Sequence, residues 1–598
     1  MAGVGASRTH PQACRDRGVG TAESAALAAG VGLVTVVVAL VYVPAVLAGL
    51  GFVSDDFMIL ERLRQADGLR GGWSFFTLSY YDYYRPLGFL SFASDWTMWR
   101  DSAPGYHAVS VLLHLFNTVM VLLVARRLIG TRAAMVAAAI FGLHVANQEA
   151  VFWVSARFDL LATAGALAVL LALGTPGRWR LAGVALLYLA ALLSKESVVA
   201  VPVATGAYAW LIQRERTAGL VRVFAWLGAA GVIYVLLRHA SGLPSAGGES
   251  RLPKLAVLIA IPLLQLAAAH PSTGTLRGWL RARRDWVFAA LLVAIAAAGA
   301  GAWASAPGSA LRGALGSSGF AVLHLASPIS VERWLFPLPW WLGFVGWTAA
   351  VAAVAAGRRV VAHKVPAFLA FFLVSALVPV SSMTEGARYL YLASVPVAIF
   401  AAWCVAQVEG RPALVVRAGL VLILIAFAWQ VRAKGRDWLW ASDMTSRSVA
   451  AIVDVIGPGC VDAHIILATA PVRIRGVYAN LNYEGLSALG QCRPASLRTL
   501  VRLGYDDPQV TATLDADRLT LRIEPYTGGF VTSMDLRRYS ILIEPRTTMR
   551  LTNDLGAFEA SPDGSGLLIR QSLPPGVSAG SFWFVFSRGR LSSLASKP

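Results

Sequence analysis

AALAAGVGLVTVVVALVYVPAVLAGLGFVSDDFMIL, residues 25–60, decides the fold. Its first 26 residues, 25–50, carry no charge. A helix needs about 20 apolar residues to cross a bilayer, so this run is long enough to span one. It is too long for the core of a cleaved secretory signal and lacks a small-residue cleavage site, which predicts a retained transmembrane helix. Two carboxylates, Asp55 and Asp56, stand where the run ends.

The rest of the chain is of the same kind. Over 598 residues it is 57% hydrophobic and 14% charged, whereas a soluble domain is nearer one quarter charged. The net charge of +19 is carried by short basic loops between apolar runs, with no basic patch interleaved with aromatics, which argues against a nucleic-acid partner. Cys14, Cys404, Cys460 and Cys492 are scattered without metal-ligand spacing.

Apolar runs at 25–49, 106–128, 132–149, 155–173, 180–195, 197–212, 219–238, 254–270, 286–304, 339–356, 366–382, 388–407 and 413–431 predict about thirteen spans. With residues 1–24 as a cytoplasmic tail, the loops "ARRLIGTR", "GTPGRWR", "QRERTAGLVR", "TLRGWLRARRD", "AGRRVVAHK" and "EGRPALVVR" all face the cytoplasm, as the positive-inside rule requires. Residues 432–598 then lie outside it. There "RLTLRIEPY", "RYSILIEP" and "SFWFVFSR" alternate with period two between turn residues. This predicts a soluble β-rich or α/β domain. An exported location permits a Cys460–Cys492 disulfide, with two free thiols as the alternative. The expectation is an all-α polytopic membrane protein with this domain appended, in a bacterial-type inner (plasma) membrane. The first outer loop, 50–105, is predicted to form amphipathic helices at the membrane surface. Its Trp and Phe residues, and the loop at 304–338, would supply interfacial aromatics.

Polar residues gather at the outer side. His107, Ser110, His114 and Asn117 fall at i, i+3, i+7 and i+10 of one span, a polar stripe expected to link helices. His144, Glu149, Arg157 and Asp159 lie around the 132–149 and 155–173 spans, Lys195 and Glu196 in "SKES", Glu385 and Arg388 in "TEGARYLYL", and Arg85 in the first outer loop. Ionisable groups in spans are costly, roughly 2.5–3.5 kcal/mol each at mid-membrane, so acids and bases from several segments at one level imply a shared cavity. Bases there suit an anionic group such as a lipid-linked phosphate. A carboxylate suits proton removal from a hydroxyl nucleophile.

"DDF", "YYRPLGFLSFASD", "GYHAVSVLLHLFN", "FGLHVANQEAVFWVSARFDLLA", "LLSKESVVAVP" and "RYLYLASVP" together resemble the C-type (GT-C) superfamily of membrane glycosyltransferases. The likeness is to the transmembrane O-mannosyltransferases that carry tetratricopeptide repeats and their bacterial relatives. It covers roughly residues 50–400. The repeats are absent, and Val145 and Asn147 stand where the family has Pro and a second His. The resemblance implies a polyprenyl-phosphate-linked sugar as donor, an extracytoplasmic protein, glycan or lipid as acceptor, and the lipid bilayer as surroundings. It makes Asp55 or Asp56 the catalytic base, with Asp55 preferred and Asp56 orienting it or the acceptor.

Lys195 and Arg388 are expected to hold the lipid phosphate, with Arg85 and Arg157 as further candidates. The alternative for Lys195 and Arg388 is a snorkelling cation or an internal salt bridge, with Glu196 and Glu385 respectively. His144, Glu149, Asp159, Glu196 and Tyr391 are candidates to contact the acceptor or support groups that do. No cofactor is called for, although a divalent cation at Glu149 is left open. For the acidic pair the bland reading is an N-cap, "SDDF" ahead of a helix. Rival functions are a glycan ligase using a polyprenyl-diphosphate donor, a transporter, or a non-catalytic scaffold. A transporter predicts internal repeats and broken mid-membrane helices, and no repeat is visible.

Overall fold

The apolar run that opens the chain is one helix, Gln12–Leu47. It ends where Gly49 takes φ +88°. Leu50 N donates to Ala45 O and Gly49 N to Val46 O, the paired bonds of a Schellman stop that only a residue tolerant of positive φ makes cheaply. This stop turns the chain into the segment that bears Asp55 and Asp56. The computed structural model describes residues 12–77, 83–242, 363–377 and 386–594, apart from breaks at 480–482, 491, 504–507, 527–528, 533–539, 544–546 and 554, with a few isolated positions between 260 and 327. The spans expected at 286–304 and 339–356, most of that at 254–270, and most of the 304–338 loop lie outside the described residues.

Among the described residues, six helices are long and apolar enough to cross a membrane, or seven if one bent pair counts as a single span. These account for six or seven of the thirteen expected, and three more lie mostly outside the described residues. Arg180–Ser194, Glu196–Ile212 and Lys364–Leu377 are apolar but shorter. The bent pair, Thr131–Leu143 and Val145–Phe152, turns by 50° at His144. The polar stripe of Ala103–Ile129 faces inward, with His107, Ser110, His114 and Asn117 all buried. His114 bonds Tyr391 Oη at 2.7 Å and Gly142 O at 3.0 Å, and Asn117 Nδ2 donates to Leu160 O at 2.9 Å. The stripe therefore ties helices together, as expected of polar groups inside a bundle.

The first loop is helical, as Asp56–Gln65, Ser74–Thr77 and Pro86–Trp99. Its apolar faces do not all remain open. Phe57, Phe75, Phe89, Phe92 and Trp96 pack with Val154 and Phe158 into a core of their own, so these aromatics hold the loop on the bundle rather than forming a membrane belt. Trp73 and Met98 remain exposed.

The long helix Arg411–Ile456 runs 46 residues without a break, past the boundary expected at 431. At 1.5 Å per residue it is about 70 Å long, roughly twice a hydrocarbon core. Its distal part buries Val431, Lys434, Trp438, Ala441, Thr445, Ser448 and Ile452, a three-to-four spacing that continues the helix as an amphipathic one. Two sheets follow. One is six-stranded, ordered Arg590–Leu594, Phe582–Ser587, His464–Pro471, Ser496–Leu503, Gly529–Thr532, Ser540–Ile543. His464–Pro471 pairs in parallel with both of its neighbours. The other is a five-stranded antiparallel sheet built from Gln509–Leu514, Arg518–Glu524, Gly566–Ser572, Gly556–Asp563 and Met549–Asn553. Cys460 and Cys492 form a disulfide. One contiguous apolar core runs from the helices into the sheets.

Candidate functional site

The acidic pair divides into two unlike groups. Asp55 occupies the N-cap position of Asp56–Gln65 but makes no side-chain capping bond, so the capping reading fails for it. Its side chain is exposed, and Ser54 Oγ donates to Asp55 Oδ1 at 3.4 Å. Asp56 is 1% exposed. Its Oδ1 accepts Ser155 N at 2.7 Å and Ser155 Oγ at 2.6 Å, and its Oδ2 accepts Val53 N at 3.0 Å. It thus pins the loop after the first span to the turn before Arg157–Leu173.

Burial pushes the Asp56 carboxyl up to about 7 against its three donors. A carboxyl raised in the fold keeps a proton that the unfolded chain releases above its ordinary value of 3.8. Stability should therefore fall as pH rises from about 4 to about 7, then level off. Melting temperatures of wild type and Asp56→Asn across that range check this; the wild-type curve should slope more steeply, and parallel curves contradict it.

Three ion pairs each join segments far apart in the chain. Arg85 Nε meets Glu196 Oε2 at 2.9 Å and Nη2 meets Oε1 at 2.5 Å. Lys195 Nζ lies 2.6 and 2.7 Å from the two Asp159 oxygens. Arg388 pairs with Glu149, whose other oxygen accepts Ala387 N at 2.9 Å. The internal-salt-bridge alternative holds for Lys195 and Arg388, but with other partners than the neighbours in sequence; Glu385 lies outside the described residues. "SKES" shows why. Lys195 is extended, φ −162° and ψ 135°, between two helical segments, and successive side chains of an extended chain point to opposite sides. Lys195 and Glu196 therefore diverge. Arg85 holds the Glu196 carboxyl down to about 2 even though burial alone would raise it.

Aromatic side chains connect the pairs. The Arg85 guanidinium lies 4.2 Å from the Tyr83 ring centroid, and the Tyr83 phenol lies within electrostatic reach of Arg85, Tyr389, Glu196 and Asp55. The Tyr389 ring receives Lys195 at 4.8 Å and Arg388 at 4.3 Å. Arg85, Lys195 and Arg388 thus border one cluster, at the end of the helical body that meets the β-rich part, with Asp55 within electrostatic reach of its Tyr83. Gly386 lies against it: a Cβ there would sit 2.7 Å from Arg388 Nη1 and 3.2 Å from Glu149 Oε1. Gly386→Ala should displace that pair and lower activity by about tenfold to a hundredfold with little change in melting temperature; unchanged activity contradicts a working role for Arg388.

Other expected site residues lie elsewhere. Arg157 is fully buried, paired with Asp95 at 2.5 Å, bonded to Tyr106 O at 2.6 Å and stacked on Phe92 at 4.5 Å, so it is a core cation with no route to a lipid phosphate. His144 caps the turn after the bend, its Nδ1 accepting Ala146 N at 3.1 Å while Nε2 meets Leu325 O at 3.2 Å. Tyr391 is a core link to His114 rather than a wall of the site. Asn147, at the family's second His, bonds Phe141 O at 2.7 Å and Ser394 Oγ at 3.0 Å. Sequence reading missed Ser155, Tyr83, Trp153, Asp95 and Tyr478. Asp95, an isolated acid in the aromatic "FASDWTMW", was the one legible hint of a buried partner. Among the described residues no group of three or more His, Cys, Asp and Glu is placed to hold a metal ion.

No protein-family model matches the chain. Protein O-mannosyl-transferase Tmtc1 of Drosophila melanogaster is 42% identical over 78 residues, 13% of this chain and 9% of that protein. Protein O-mannosyl-transferase Tmtc2 of the same organism is 37% identical over 128 residues, 19% of this chain and 14% of that protein. The chain resembles the protein O-mannosyl-transferases. It spans only a small part of their length, and the helices that match spans make it a multi-pass membrane protein of that likeness. Among solved structures, the Archaeoglobus fulgidus oligosaccharyltransferase aligns over 78% of this chain and 63% of its own, with a TM-score of 0.44 and 10% identity.

Proposed function

We propose that this protein is a membrane glycosyltransferase. It moves one hexosyl or pentosyl unit from a polyprenyl-phosphate donor to a hydroxyl of an acceptor protein, glycan or lipid outside the cytoplasm. The observation that carries the reading is the convergence of Asp55 with Arg85, Lys195 and Arg388 on one aromatic-walled cluster, from four segments of a helical membrane body. The resemblance to the protein O-mannosyl-transferases supports it.

Each base already has a carboxylate. A Lys ammonium has three N–H donors and an Arg guanidinium five, so a pair with one carboxylate leaves donors for phosphate oxygens. The acids then serve to hold the bases in place. Asp55 takes the proton of the acceptor hydroxyl, whose oxygen forms a bond to the anomeric carbon. The bond from that carbon to the phosphate oxygen breaks, and the phosphate leaves with the electron pair, its charge balanced by Lys195 and Arg388. One displacement inverts the anomeric centre. In this reading the β-rich part faces outward and the N-terminus lies in the cytoplasm of a bacterial-type inner membrane.

Mass analysis of envelope glycans, glycoproteins and lipids from a strain lacking the gene tests the reading. A product lacking one sugar, restored by the wild-type chain, is expected. An unchanged inventory together with unchanged polyprenyl-phosphate sugars contradicts it.

A further inference from the structure

A two-stranded hairpin leaves the carboxyl end of the central strand His464–Pro471 and reaches the cluster. Its strands pair Arg473 with Tyr478 and Ile474 with Val477, which makes Arg475 and Gly476 a two-residue loop. Both take positive φ, +53° and +77°, the geometry of the tight turn whose twist matches a hairpin. The hairpin is held from both sides. Val472 N donates to Leu503 O at 2.9 Å and Ala479 N to Val472 O at 3.0 Å. Lys434 Nζ on the long helix Arg411–Ile456 donates to Arg475 O at 2.8 Å, and the Arg475 guanidinium lies 4.7 Å from the Trp440 ring. Val477 is fully buried.

This construction fixes where Tyr478 points. Its ring stacks on Trp153, centroids 4.5 Å apart and planes 24° apart, and carries the Arg473 guanidinium at 3.9 Å. Trp153, Tyr389 and Tyr478 together surround the Arg388 guanidinium, at 4.5, 4.3 and 5.2 Å from the three centroids. Two of these rings come from the helical body and the third from the β-rich part. A cation among aromatic faces is attracted by their quadrupoles, more strongly when water is excluded. The rings also limit the orientations open to a guanidinium whose polar partners are Glu149 and the Tyr389 hydroxyl, to which Nη2 donates at 2.8 Å.

We propose that Tyr478 is a positioning residue for Arg388, so that the phosphate end of the transfer site is complete only when the C-terminal β-rich part is docked on the helices. The inference rests on the reading of Arg388 as a phosphate-binding group. It gives the C-terminal part a role in the reaction itself, not only in capture of an acceptor.

The test uses the full-length protein in lipid nanodiscs, with undecaprenyl phosphate as the probe and its affinity read by titration. Tyr478→Phe keeps the ring, whereas Tyr478→Leu and Tyr478→Met keep apolar bulk without it. Phe keeps the ring but loses the hydroxyl that also bonds Arg388, so it should bind between wild type and the two apolar variants, and Leu and Met should bind about tenfold more weakly than wild type. Arg388→Ala, as reference, should lose most of the affinity. The rescue by Phe separates positioning from mere packing. Folding is checked by melting temperature and by the absence of free thiol at Cys460 and Cys492; if one apolar variant does not fold, the other decides. Wild-type affinity in a folded Leu or Met variant, with affinity lost in Arg388→Ala, overturns the inference and leaves the proposed function standing. Wild-type affinity in Arg388→Ala overturns the phosphate assignment, and the inference with it.

Discussion

Asp55→Ala should abolish sugar transfer, by about a hundredfold to ten-thousandfold, while leaving the melting temperature unchanged. The magnitude is that of losing a positioned general base. The neutrality toward folding follows from the structure: the Asp55 side chain is exposed and makes no helix cap, and surface substitutions away from such features usually cost within about 0.5 kcal/mol. Asp55→Asn should behave in the same way, because an amide keeps the shape but cannot take the proton. Asp56→Ala is expected to differ in kind. It removes the acceptor of three hydrogen bonds from Ser155 and Val53, so it should lower stability along with activity. Transfer assays on membranes, paired with melting curves, distinguish the two acids. Full activity in folded Asp55→Ala would remove it as the base.

The largest loss of stability is expected away from the cluster. Asp95→Ala leaves the Arg157 guanidinium, fully buried, without its carboxylate. An uncompensated buried charge costs about 3–5 kcal/mol, a large share of a typical domain's total stability. Replacing both partners with apolar side chains of similar size, Asp95→Leu with Arg157→Met, should recover most of that loss, because neither charge then needs to be desolvated. Arg157 also donates to Tyr106 O at 2.6 Å, so the double variant leaves one carbonyl less well satisfied and full recovery is not expected. Chemical unfolding in detergent measures both. If Asp95→Ala melts like wild type, Arg157 has another counter-charge and is not the core cation described above.

The contrast between Asp55 and Asp95 shows which parts of the molecule were legible in its sequence. Hydropathy runs located the first span. The polar stripe of Ala103–Ile129 was readable as well, since helical spacing alone places its four residues on one face. The β-rich character of the C-terminal part followed from period-two alternation. The partners of the bases were not readable. Lys195 pairs across 36 residues, Arg85 across 111 and Arg388 across 239, and only the packing of the helices brings those residues together. Nor was the length of the helix Arg411–Ile456, because hydropathy marks where a helix leaves the apolar layer and not where it stops being a helix. Asp55 and Asp56, adjacent and chemically identical, became distinguishable only through Ser155, which selects one of them to be buried.

The central claim is that Lys195 and Arg388 hold a lipid phosphate in front of Asp55. An electron cryomicroscopy map of the protein in nanodiscs with undecaprenyl phosphate tests it most directly. The account predicts phosphate density within hydrogen-bond distance of Lys195 Nζ and the Arg388 guanidinium, with the Asp55 carboxylate facing it. Phosphate density at another face of the helical body, with this cluster unoccupied, would contradict it.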